Sequence, residues 1–92
     1  MRVASPPSFP CDDAGGRIER LICDDPWLAR ADRATTAALY RALDEADPYT
    51  RRELLRTRAA FLAYRDRCPG ARCVAEAYAD RIQEIRDIAA DR

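Results

Sequence analysis

The chain has no histidine, no lysine and only three glycines among its 92 residues. The missing histidine removes the commonest general base and the usual catalytic triads. Serine occurs only as Ser5 and Ser8, both near the start, so no supported hydroxyl nucleophile is present. The one Gly-Gly pair, Gly15-Gly16, has neither a preceding strand pattern nor a following Gly-Lys-Ser/Thr, which leaves little basis for a phosphate loop. No run approaches the roughly 18 apolar residues of a membrane span. Nor do the first ten residues, MRVASPPSFP, contain the apolar stretch of a signal peptide; export would require a leader already cut from this chain.

Charge of either sign is not in excess: 16 basic residues, all arginine, balance 16 acidic ones. Nucleic-acid domains usually carry a clear basic surplus, so no nucleic-acid partner is expected. The charge is nevertheless uneven. Residues 51–72 hold seven arginines against Glu53 and Asp66, a local net of +5, and residues 11–32 carry a local net of −3. These blocks either attract one another across the fold or offer surfaces to partners.

What is present is helical punctuation. Ile18, Leu21 and Ile22 fall at i, i+3, i+4 and predict a short helix over about 17–23. Asp25-Pro26 is an acidic N-cap followed by proline at the first helical position, opening a helix over about 26–46. Asp47-Pro48 repeats it, and Thr50-Arg51-Arg52-Glu53 has the form of a capping box, so the next helix starts between 48 and 51 and runs to about 68. Pro69-Gly70 stops it, and a last helix covers about 72–90. The expected fold is all-α: one domain over 11–90, a small antiparallel bundle of three long helices plus a short N-terminal helix, preceded by an extended lead-in over 1–10.

Helical phase assigns the inward faces. They are Leu28, Ala31, Thr35, Leu39, Ala42, Leu43 and Ala46 on the first long helix, and Leu54, Leu55, Phe61 and Leu62 on the second. On the third they are Val74, Ala77, Tyr78, Ile82, Ile85 and Ile88. The same phase turns four charged residues inward: Asp32, Arg58, Arg65 and Arg81. Buried charge must be paired or extended towards water. A structural ion-pair network centred on Asp32 is therefore expected, with a binding cleft floored by the arginines as the alternative.

Four cysteines in so short a chain read as a disulfide framework if the protein is exported. Cys68 and Cys73 flank the Pro-Gly turn at a helical corner, and Cys11 and Cys23 flank the short helix. Pairing neighbours is expected, although four cysteines allow three connectivities. Zinc is the rival, but eleven residues separate Cys11 from Cys23, too many for a zinc knuckle, and no Cys-x-x-Cys redox motif occurs. The acidic pairs Asp12/Asp13, Asp24/Asp25 and Asp44/Glu45 lie at predicted helix ends, where caps and dipole partners belong. Neither metal, cofactor nor catalysis is expected.

Three segments, PSFPCDDAGGRIERLICDDPWLARAD (7–32), FLAYRDRC (61–68) and CVAEAYADRIQEIR (73–86), resemble the LprI-like lysozyme-inhibitor N-terminal family of bacterial envelope proteins. The ordered features are Phe9-x-Cys11, Glu19-x-x-Ile22-Cys23, Leu28-Ala29-x-x-Asp32, Phe61-Leu62-x-x-Arg65-Asp66-x-Cys68 and Cys73-x₄-Tyr78-x-x-Arg81-Ile82. The resemblance implies a periplasmic, secreted or lipid-anchored helical domain with disulfides, acting by direct binding to lysozyme. The alternative is an envelope interaction module with another ligand. A basic lysozyme calls for an acidic contact surface, and the candidates are Asp12, Asp13, Asp24 and Asp25 with Trp27 as an anchor. Trp27 could instead pack beneath the lead-in.

Overall fold

A computed structural model describes residues 7–90. The first six residues of the expected lead-in and the last two of the chain lie outside the described residues. A single 3-10 turn over Cys11–Asp13 leads into four helices: α1 Arg17–Asp24, α2 Pro26–Glu45, α3 Pro48–Asp66 and α4 Ala71–Ala90. No strand occurs among the described residues.

Each boundary has a local chemical cause. The Asp25 carboxylate accepts from the backbone N–H groups of Trp27 (2.9 Å) and Leu28 (3.4 Å), with Pro26 at a position that needs no donor. Asp47 caps α3 in the same way, accepting from Thr50 N–H at 2.7 Å. The capping box read at Thr50–Glu53 is therefore displaced. Asp47 takes the cap position, Thr50 is buried inside the first turn, and Glu53 pairs with Arg56. At the end of α2, Arg51 Nη1 donates to the Leu43 carbonyl at 2.8 Å, satisfying a helix-terminal acceptor. Arg17 does the same for the α3–α4 corner, donating to the Cys68 carbonyl at 2.8 Å.

The core has two apolar clusters. One contains Ile18, Ile22, Leu28, Cys68, Val74 and Tyr78, with Phe9 and Phe61 packed against it. The other contains Leu39, Leu43, Leu54 and Ile85. Every long helix passes from one cluster to the other through buried polar residues: Asp32 and Thr35 on α2, Thr57 on α3, and Arg81 on α4. A polar layer thus crosses the middle of the bundle.

The inward stripes expected on α2 and α4 are the buried or half-buried ones. On α3 the expectation needs correction, because Leu55 is exposed. The face of α3 turned inward runs through Thr50, Leu54, Thr57, Phe61, Arg65 and Cys68, spaced by three and four residues. Leu54 occupies the inward position completely, and Leu55, one residue on and rotated by about 100°, must leave it. Two threonines and an arginine share this stripe, so apolar periodicity alone could not trace it. α4 packs along both α2 and α3, whereas α2 and α3 touch each other sparingly. That splay opens the cleft described next.

Candidate functional site

The polar layer is organised around a tyrosine. Tyr78 donates its phenol hydrogen to Asp32 Oδ1 at 2.8 Å, and Arg65 Nη1 donates to the same phenol oxygen at 3.3 Å. The second carboxylate oxygen of Asp32 accepts from Ser8 N–H at 2.5 Å, which ties the lead-in to the bundle. Arg65 spends its other donors on its neighbour: Nε and Nη2 reach Asp66 Oδ1 at 3.0 and 2.7 Å. Arg81 forms a separate group, donating to Thr57 Oγ1 (2.8 Å), Glu84 Oε1 (2.9 Å) and the Leu54 carbonyl (3.0 Å). No buried side-chain nitrogen or oxygen among the described residues lacks a partner.

The expected network is thereby revised in two respects. Asp32, Arg65 and Arg81 are buried as read, but no ion pair joins Asp32 to a guanidinium among the described residues. Burying a direct pair would desolvate both charges. Here each buried guanidinium pairs with a carboxylate on its own helix, Asp66 or Glu84, whose side chains are about half exposed (55% and 45%) and keep much of their hydration. The phenol of Tyr78 stands between Asp32 and Arg65 and links them by hydrogen bonds. Arg58 is the second revision: it is exposed and makes no hydrogen bond or ion pair among the described residues. Thr57 holds the inward place, and Arg58 is turned one position away from it.

Electrostatics follow this geometry. Burial, and then the Asp32 carboxylate beside it, push the Tyr78 phenol well above its ordinary value, so it remains a donor. Burial works to lower the Arg65 value, but the Asp66 hydrogen bonds and the Tyr78 contact outweigh it and leave it raised. Tyr78 is the residue that apolar phasing missed as a site residue. The available signal was its hydroxyl, which needs a partner wherever the ring is buried.

Both disulfides join neighbouring cysteines. Cys11 and Cys23 have Cα atoms 5.9 Å apart, and Cys68 and Cys73 have theirs 5.5 Å apart. All four sulfurs are consumed, so no thiolate remains for the zinc alternative. The first bond gathers acids onto one corner: Asp12 and Asp24 each adjoin a bridged cysteine, Asp13 follows, and all three are exposed. Asp25 is half-buried and committed to capping α2. Trp27, three residues after Asp24, has 73% of its surface exposed, so it does not pack beneath the described part of the lead-in. The Arg30 guanidinium lies 5.2 Å from its ring centre. No ion pair links the 11–32 and 51–72 blocks among the described residues; the pairs found are each within one helix.

Between α2 and α3, above α4, lies a cleft of about 340 Å³. Asp32, Arg65, Tyr78 and Arg81 line it from the polar layer, and Phe9, Leu39, Phe61 and Leu62 supply apolar surface. Thr36 and Tyr40 of α2, Arg58 and Asp66 of α3, and Glu19 of α1 also line it. No helix among the described residues is long and apolar enough to cross a membrane. Compared with known proteins, the chain matches no protein-family model, no curated sequence and no solved structure.

Proposed function

We propose that this chain is a non-catalytic, extracytoplasmic helical domain that acts by binding a protein, and that the partner is a basic lysozyme. Two disulfides in a domain of this size suit an oxidising compartment, periplasmic or outside the cell. The observation that carries the reading is the exposed ring of Trp27, which follows Asp24 and Asp25 in the chain within three residues. An exposed tryptophan is a common energetic anchor of protein interfaces, and neighbouring carboxylates steer a cationic partner towards it. The motif resemblance to LprI-like lysozyme inhibitors points to the same partner.

The test adds the oxidised protein to lysozyme acting on a cell-wall substrate. Slowed lysis, relieved by Trp27→Ala and weakened by Asp12→Asn/Asp13→Asn/Asp24→Asn, is the expected result. Unchanged lysis at micromolar excess rejects the lysozyme reading. The alternative is an envelope module that meets an anionic partner, for which the exposed arginines Arg52, Arg58 and Arg67 of the basic block speak. It predicts salt-sensitive binding to an envelope component together with no effect on lysozyme.

A further inference from the structure

We infer that the cleft between α2 and α3 is a binding site for a small amphipathic anion, an apolar body bearing one acidic group. This inference is independent of the Trp27 corner. The cleft volume, about 340 Å³, falls at the lower end of the roughly 300–1,000 Å³ typical of ligand sites. It exists because α2 and α3 splay over α4, and the lead-in, held by the hydrogen bond from Ser8 to Asp32, contributes Phe9 to its lining.

The state of each charged lining group decides the ligand's sign. Asp32 is engaged by Tyr78 and Ser8, Arg65 by Asp66, and Arg81 by Thr57, Glu84 and the Leu54 carbonyl. Glu19 accepts from Gly15 N–H at 3.0 Å, and Asp66, itself a lining carboxylate, is held by Arg65 Nε and Nη2. Arg58 alone among them has no protein partner among the described residues. The hydroxyls of Thr36 and Tyr40, on the opposite wall, also make no hydrogen bond among the described residues. One cation and two hydroxyl donors therefore face a cavity whose remaining walls include Leu39, Phe61 and Leu62. A carboxylate, sulfonate or phosphate monoester head satisfies the donors, and an acyl or aromatic body covers the apolar wall. The arginines of the floor are structural, and Arg58, displaced from the stripe, is the group left to recognise a ligand.

The test titrates the oxidised full chain with 8-anilinonaphthalene-1-sulfonate and follows its fluorescence. Saturable one-to-one binding is expected, displaced by decanoate and resisting decanol or inorganic phosphate at equal concentration. Displacement by inorganic phosphate alone would assign the site to a free anion and reject the amphipathic ligand. Arg58→Glu should weaken binding by at least about tenfold without altering the melting temperature. Thr36→Trp, which fills the cleft, should abolish it, and Arg52→Glu, on the same helix as Arg58 but outside the cleft, should leave it unchanged. Absence of saturable binding, or equal losses in the Arg52 and Arg58 variants, would overturn the inference.

Discussion

Tyr78 and Asp32, forty-six residues apart in sequence, meet in the middle of the bundle, where the phenol donates to the carboxylate at 2.8 Å. The contact joins α4 to α2, and through Ser8 it also fastens the lead-in. Removing the carboxylate strands the buried Tyr78 phenol and unties the part-buried Ser8 N–H. Asp32→Ala should therefore cost about 2–4 kcal/mol, since each unsatisfied group costs roughly 1–3 kcal/mol. For a domain of this size that lowers the melting temperature by at least about 10 °C, readable by circular dichroism. A variant that melts with the wild type would show that the polar layer contributes nothing.

The same contact gives an alkaline signature. The folded-state value of the Tyr78 phenol lies above its unfolded one, because burial and Asp32 disfavour the phenolate. Below the unfolded value of about 10 both states hold the proton, and the contribution to stability is fully present. As pH rises past that point the unfolded chain releases the proton while the folded chain retains it. Stability then falls by about 1.4 kcal/mol per pH unit from this group. Denaturant melts between pH 9 and 11 should show the decline. Tyr78→Phe should be less stable at neutral pH yet flatter in this range.

Arg81 and Arg58 form a contrast that only the folded chain reveals. Arg81 is 2% exposed, donates three hydrogen bonds to oxygen acceptors, and holds its guanidinium 5.9 Å from the Phe61 ring centre. Arg81→Ala should cost about 3 kcal/mol or more, from lost hydrogen bonds and lost stem packing. Arg58→Ala should change stability by no more than about 0.5 kcal/mol, as an exposed residue without partners. Equal losses would contradict the assigned exposures.

The presence of two disulfides is checked by intact mass, which should rise by about 4 Da on full reduction, two hydrogens per cystine. Cys11→Ser/Cys23→Ser and Cys68→Ser/Cys73→Ser should each lose about 2–3 kcal/mol on the chain-entropy account of loops this short. Each is a large share of the stability of a domain whose total is on the order of 5–10 kcal/mol. A preparation with four free thiols and an unchanged melt would reject the staples.

The helices, their caps and the paired cysteines follow from the sequence because their causes are local. Asp25-Pro26 and Asp47-Pro48 carry cap and first-turn chemistry within a few residues, and the cysteine pairs flank a short helix and a Pro-Gly turn. Burial of Asp32, Arg65 and Arg81 was likewise legible from helical phase. Their partners were not. Phase states which way a side chain points, but not which neighbouring helix brings an acceptor within reach. The placement of the Tyr78 hydroxyl between Asp32 and Arg65, the outward turn of Leu55 and Arg58, and the exposure of Trp27 depend on how closely α2, α3 and α4 approach one another. That spacing is set by packing around α4, and the incomplete closure of α2 on α3 decided that this small bundle has a cleft.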